Sequence, residues 1–430
     1  MTKIRSRDTV IREREFARLL TESSAVFGGW VASITEQPAL LGSAPVVLGL
    51  ERHAHALEVF LDDFGARQNR AYVTLGEMIA SVRGLAEVTG NGLHLRDRLS
   101  RYPKLIDEVP LTEDLDRGLM LLREALLALL AATLAEAGRS GCTWSATEID
   151  EPEVPTHRRL LPRNLDEEEA IEERQHIAEI GAKYLKVLDT SRSLELGFVR
   201  PMASLPEFVQ EHATEELCRW YESTVHSIQS MYDTYVLNTL VERDHPWLQS
   251  LRGHVSVSLR LLQMATALIH FYERHENDIR HEPARQAVSS VVPKESILDA
   301  AVNVCLRHAY LYVEGASAVA HQILKTFVRQ ASTTLTMPDG VTLHARPLAL
   351  IVQVARHYGT PMEISFDGER CSAASLMSLI LLGGRHPRPK NIRVEGDTRA
   401  LRDLEMLFRS GLGENGQQLP GDLEYLRVGS

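Results

Sequence analysis

From Thr333 to about Glu414 the apolar residues switch repeatedly between a two-residue and a 3.6-residue period. Short strands and helices must therefore alternate along this stretch. Leu335 and Met337 alternate with Thr334 and Thr336 as a strand would, and Pro338-Asp339-Gly340 ends it with turn chemistry. Leu348, Ile351, Val352 and Ala355 then fall at i, i+3, i+4 and i+7, which predicts a helix starting close to His344. Met362, Ile364 and Phe366 give a second strand, Asp367-Gly368 a two-residue hairpin turn, and Glu369 to Ser372 a third strand. A helix is expected from Ser375, with Leu376, Leu379 and Ile380 on one face and Gly383-Gly384 as its stop. Ile392 and Val394 mark a fourth strand. Thr398 is placed to cap a last helix carrying Leu401, Leu404, Leu407 and Phe408, which ends at Gly411. The order β-α-β-β-α-β-α describes an open-faced sandwich, a sheet covered on one side by helices.

At the centre lies Leu343-His344-Ala345-Arg346-Pro347. Proline is tolerated in the first turn of a helix, where its missing N–H has no intrahelical partner. That places His344 where unpaired backbone amides and the positive end of the helix dipole converge, and such a place attracts anions. Arg346 adds a guanidinium that can hold phosphate in a fork. A neutral imidazole there can attack a phosphoryl donor, with the transferred charge stabilised by amides and guanidinium. The candidate residues are thus His344 as phosphoryl acceptor and Arg346 as phosphate stabiliser.

Residues 333 to 414 resemble the histidine-containing phosphocarrier HPr family of the bacterial sugar phosphotransferase system. Three landmarks carry the likeness: Leu343-His344-Ala345-Arg346-Pro347, Ser375-Leu376-Met377 opening the second helix, and the ending Ser410-Gly411-Leu412-Gly413-Glu414. Two positions depart from the family's habit: Thr342 replaces a usual glycine, and Leu348 a usual small residue. The resemblance implies that His344 is phosphorylated, that Arg346 stabilises the phosphate, that Ser375 occupies the site used by a regulatory HPr kinase, and that Leu376 and Ile380 face partners. It further implies an enzyme I-like, phosphoenolpyruvate-dependent donor, a protein acceptor, no cofactor, and a transient phosphohistidine in place of an independent catalytic centre.

The remaining sequence is unlike this stretch and resembles no family. With 430 residues and 44% hydrophobic content, the chain can form several cores. Its net charge of -11 argues against nucleic acid as a partner. Four isolated cysteines with no C-x-x-C suit a reducing cytosol. The basic start Met1 to Arg7 is followed by charge, unlike a signal peptide, and the apolar run Ala125 to Ala135 is too short to span a bilayer. A cytoplasmic protein without membrane insertion is the expectation.

The expected organisation is α+β overall: a large all-α N-terminal region followed by the HPr-like sandwich. Residues 1–140 read as a helical domain, 141–163 as an acidic, proline-containing linker, 164–331 as a helical bundle that could pack with 1–140, 332–415 as the HPr-like domain, and 416–430 as a tail. Leu205 to Asp244, Trp247 to Glu276 and Ser296 to Arg329 read as long helices, a pattern that also allows a homo-oligomer formed through the helical region. Arg67-Gln68-Asn69-Arg70 reads as a solvated face or a helix-end cap. Glu173-x-x-His176 has the spacing of half a di-iron site, but no second pair completes it, so no metal is expected. Three functions compete: a phosphocarrier with a fused regulatory or partner-binding region, a docking module without phosphate flow, and a helical metalloenzyme.

Overall fold

The computed structural model describes residues 10–102, 109–149, 170–274, 281–414 and 420–427. The basic start, most of the acidic linker, the acidic stretch Asp166 to Glu169, His275 and the side chain of Glu173 lie outside the described residues. By contact density the chain forms two compact units. One comprises residues 1–163, 191–226 and 253–315, and the other residues 164–190, 227–252 and 316–430.

The first unit is helical. Helix Ala44–Asp63 lies along Val73–Leu99, which also packs against Val109–Arg139 and Glu282–Ser289. The first helix, Glu13–Ser23, buries Phe16 and Leu20, while Val10 precedes it and is exposed. Arg67, half exposed in the polar run that follows Ala66, pairs with the Asp62 and Glu58 carboxylates and not with the terminal carbonyls of Ala44–Asp63. The beginning of the segment expected as an exposed linker is not free. The indole N–H of Trp144 donates to Ser24 Oγ at 2.9 Å, and the backbone N–H of Thr147 donates to Ser33 Oγ at 2.8 Å.

Helix lengths differ from expectation where local backbone chemistry intervenes. Leu205 to Asp244 is broken into Leu205–His212, Glu215–Tyr235 and Leu240–Asp244. The first break falls at Ala213, and the second passes through Asn238 in the left-handed region (φ 61°), a conformation asparagine tolerates. The stretch from Ser296 is divided into Lys294–Asp299, a π-helical segment Ala300–Leu306, Arg307–Gly315 and Ser317–Phe327. The apolar run Ala125 to Ala135 sits inside Val109–Arg139. Both Pro110–Arg139 and Leu248–Glu273 are long and apolar enough to cross a bilayer, so length alone does not exclude a span.

The second unit contains the α+β sandwich. Its strands are β1 (Gln330–Thr336), β2 (Glu363–Phe366), β3 (Glu369–Ser372) and β4 (Asn391–Asp397), all antiparallel in the order β1-β4-β2-β3. Helices α1 (Ala345–Tyr358), α2 (Leu376–Arg385) and α3 (Thr398–Arg409) follow β1, β3 and β4. Leu335, Ile364, Phe366, Ile392 and Val394 face the helices and are buried with Ile351, Leu379 and Leu404 in one core. Asp367 (φ 52°) and Gly368 (φ 86°) are both left-handed, which matches the right-handed twist of the β2–β3 hairpin.

Two local corrections concern helix ends. The N-cap of α3 is Asp397, whose carboxylate accepts from the Arg399 N–H at 2.9 Å, so Thr398 is the first helical residue. Gly383 and Gly384 lie within the last turn of α2, which runs to Arg385. The C-terminal segment also does more than trail away. Gly421–Arg427 forms 3-10 turns that insert Leu423 and Leu426 into the sandwich core, and Tyr425 donates to Asp403 at 2.6 Å beside the Tyr358 hydroxyl, 2.7 Å from the same oxygen. Burial first, and then the Asp403 carboxylate, push both phenols well above their ordinary pKa.

Leu423→Ala should therefore destabilise the sandwich by about 2–5 kcal/mol, the usual cost of emptying a buried leucine site. Hydrogen exchange at the β2 and β4 amides of the full chain reads this out, and unchanged protection would show that the segment is not part of the core. In the helical unit, burial first, and then Arg307 and Arg117, hold the pKa of His308 below its ordinary value despite the Asp114 carboxylate 2.7 Å away, and burial likewise lowers His53 and His94. The unfolded chain then binds more protons, so stability is full above pH 7 and falls as pH drops through the unfolded imidazole value near about 6.5. Thermal unfolding followed by circular dichroism should give a lower midpoint at about pH 5.5 than at about pH 7.5. A higher midpoint in acid would contradict this assignment.

Candidate functional site

The helix expected near His344 begins at the next residue. His344 is the N-cap of α1, with extended backbone (φ -114°, ψ -175°), and its carbonyl accepts the first helical bond, from Leu348 N–H at 3.2 Å. Pro347 occupies the first turn and has no N–H to satisfy, while the amides of Ala345 and Arg346 precede any intrahelical acceptor. The imidazole does not cap these amides itself. Its side chain makes no capping hydrogen bond and is 52% exposed.

The residues just before His344 are held from two sides. Leu343 is buried, and its N–H donates to the carbonyl of Pro387 at 3.0 Å, in the loop after α2. The stiff basic segment His386-Pro387-Arg388-Pro389-Lys390 thus supplies a fixed acceptor for the histidine loop. Gly383 makes the approach of α2 possible: a Cβ there would lie 3.2 Å from Leu348 Cδ1 and 3.3 Å from the Leu343 carbonyl oxygen. The bulk of Leu348 is accommodated by the absence of a side chain at Gly383. Thr342 is not among the residues with positive φ, so its position makes no demand for glycine.

A carboxylate that the sequence reading named only as part of an ending is brought to the histidine. Glu414 Oε1 lies 3.6 Å from His344 Nε2, and this buried oxygen has no hydrogen-bond partner. The chain reaches this point through three successive left-handed residues, Gly411 (φ 72°), Leu412 (φ 54°) and Gly413 (φ 67°). Leu412 accepts that strained conformation because its side chain is fully buried. The signal available in the sequence was the Gly-x-Gly spacing, which marks positive φ without saying where the following acid points.

Arg346 is exposed, and no hydrogen bond or ion pair ties it to another described residue. It therefore stands on the first turn beside His344 without being committed elsewhere. Ser375 is the half-buried N-cap of α2: its Oγ accepts from Ser378 N–H at 3.3 Å and lies 2.8 Å from the Ser378 hydroxyl. On α2 the structure tips Leu376 toward the core, while Met377 (68% exposed), Ile380 and Leu381 form an exposed apolar face at i, i+3 and i+4 spacing. Sequence spacing alone does not separate Met377 and Leu381 from the buried Leu379 and Leu382.

Of the other chemical candidate, Glu173-x-x-His176, only the histidine side chain lies among the described residues. His176 pairs with Glu179 at 3.3 Å and stacks on Tyr235. Among the described residues no three His, Cys, Asp or Glu side chains come together as a metal site would need.

A four-stranded antiparallel sheet with helices on one side and a histidine at the mouth of the first helix defines an HPr-like domain. In agreement, residues 331–410 match the family model for the PTS HPr component phosphorylation site. The phosphocarrier protein HPr of Chlamydia trachomatis is 25% identical over 87 residues, which cover 20% of this chain and 80% of that protein. No family model matches the N-terminal helical region, and no solved structure matches the chain.

Because the His344 ring is half exposed while His254 and His308 are buried, diethyl pyrocarbonate should modify His344 well before those two. Peptide mass spectrometry over a time course checks the order, and early modification of His308 with His344 spared would refute the placement.

Proposed function

We propose that the chain is a phosphocarrier of a bacterial phosphotransferase system, taking a phosphoryl group on His344 from an enzyme I-like, phosphoenolpyruvate-dependent donor and passing it to a protein acceptor. The observation that supports this most is the exposed, uncapped imidazole at the start of α1, next to amides that have no acceptor of their own. A ring nitrogen attacks phosphorus, the bond from phosphorus to the donor's carrying atom breaks with its electron pair returning to the donor, and the phosphoryl oxygens meet the Ala345 and Arg346 amides and the Arg346 guanidinium. Transfer needs little beyond this, because phosphoryl chemistry is governed by positioning and electrostatics.

Ser375 fits a regulatory role in the same reading. Phosphorylation by an HPr kinase would place about two negative charges at the N-cap of α2, beside Met377, Ile380 and Leu381, the face we assign to partners together with Leu376. The helical region is read as a regulatory, dimerising or partner-binding module, and the protein as cytoplasmic and without membrane insertion. Docking without phosphate flow is the second reading, favoured by the Glu414 carboxylate, whose buried oxygen accepts no hydrogen bond and lies 3.6 Å from His344 Nε2, where it opposes negative charge on the ring.

Incubation of the full chain with phosphoenolpyruvate and a purified enzyme I should give acid-labile, alkali-stable label. The label should vanish in His344→Ala, persist in Ser375→Ala, and form on the order of tenfold or more slowly in Arg346→Ala, which lacks one charged donor. Absence of label in the unaltered protein, with enzyme I active on its own carrier, would favour docking alone.

A further inference from the structure

Within the helical unit, a cavity of about 400 Å³ opens between helices Val73–Leu99, Glu215–Tyr235 and Leu248–Glu273. Its volume falls in the range of small-molecule sites. The wall is charged, and most of that charge is already matched from behind. Arg83 is held by Glu58 at 2.5 Å, Arg274 by Glu77 at 2.8 Å, and Arg219 and His270 both by Glu215, at 2.7 Å each. None of these three carboxylates lines the cavity.

What remains facing the cavity is unmatched charge of both signs. Arg260 makes a hydrogen bond only to the neutral amide of Gln263, at 3.0 Å, and has no carboxylate partner among the described residues. Glu222 has no hydrogen-bond or ion-pair partner among them. Glu87 approaches Arg83 no closer than 3.8 Å, and that guanidinium is already committed to Glu58. Burial raises the Glu87 carboxyl above its ordinary pKa, with the neighbouring Glu51 and Glu222 acting in the same direction and Arg83 and His270 against it, so the group lies partly out of water.

We propose that this cavity binds a small zwitterion of the amino-acid type, its carboxylate on the Arg260 guanidinium and its ammonium on Glu222 and Glu87. A simple anion would leave Glu222 and Glu87 facing like charge, and a simple cation would leave Arg260 unsatisfied. A molecule carrying both charges matches each in a partly desolvated site, where such pairs discriminate most strongly between ligands. The shared chemistry can come from a free amino acid or from a short peptide. The inference does not rest on the phosphocarrier reading, and neither stands or falls with the other.

Isothermal titration of the full chain with the standard amino acids and with dipeptides should show saturable binding of at least one zwitterion. The matching amine lacking the carboxylate and the matching acid lacking the amine should each bind roughly tenfold or more weakly. Arg260→Gln and Glu222→Gln should weaken binding by a similar factor without changing the circular dichroism spectrum. The analogue comparison on the unaltered protein keeps the test decisive even if a variant misfolds. Preference for free amino acids over dipeptides, or the reverse, identifies the source. No saturable binding of either class, binding equally strong for one-charge analogues, or tight binding of a dicarboxylate or sugar phosphate that depends on Arg260 but not on Glu222 would overturn the proposal.

Discussion

Leu343 is packed into the sandwich core by its side chain and tethered by its N–H to the Pro387 carbonyl, and the geometry of the His344 end of the domain depends on this double hold. A strand-to-helix connection with one buried residue immediately before the cap cannot rotate without withdrawing apolar surface from the core, which costs about 1.5–3 kcal/mol for a leucine. The next residue must then project outward. Gly383 allows α2 to close over the same point, and the loss of its hydrogen for a methyl group would press on the Leu343 carbonyl, a backbone atom with no freedom to retreat. Thr342 and Leu348 fit this frame. The first needs no unusual backbone, and the second fills the space that Gly383 leaves.

The same local device, an N-cap residue at a helix mouth, is used in two chemically different ways in one small domain. Ser375 spends its oxygen on the Ser378 N–H and so completes its own helix. His344 leaves its amides unfilled. The difference follows from the side chains: a short hydroxyl reaches back to the second or third amide at small entropic cost, whereas the His344 imidazole makes no capping bond and stays half exposed. An unfilled helix mouth beside an exposed nucleophile suits an incoming anion, and a filled one suits a structural cap whose modification would disturb the helix start.

Much of the sandwich was legible because its signals are local. Asp367-Gly368 reports two positive φ angles wherever it stands between alternating strands, and the 3.6-residue spacing of Leu348, Ile351, Val352 and Ala355 fixes the face of α1. That spacing, with Pro347 read as a first-turn residue, put the start of α1 close to His344, which is its N-cap. Features set by distant contacts were not legible. The approach of Glu414 to His344 requires three consecutive left-handed residues, and the insertion of Leu423 and Leu426 rests on a segment too short to show a period. In the helical region, a continuous apolar period concealed the interruptions at Ala213 and Asn238, because periodicity records which face is buried and not whether the backbone is unbroken.

A carrier differs from a phosphatase or a stably phosphorylated switch in that its phosphoryl group must be about equally willing to arrive and to leave. On the phosphocarrier reading, the surroundings of His344 meet that requirement by opposition. The free amides of the first turn and the uncommitted Arg346 favour the charged adduct. Glu414, 3.6 Å from Nε2 with an oxygen that nothing else satisfies, disfavours it. Coulomb energies at such separations are several kcal/mol at an effective dielectric near about 20, and solvent at a half-exposed ring reduces them further. Each influence is therefore comparable to the difference between a phosphohistidine that persists and one that is passed on. The left-handed turn at Gly411, Leu412 and Gly413 is what puts the opposing charge in place, so the end of the sandwich bears on the chemistry as directly as the start of its first helix.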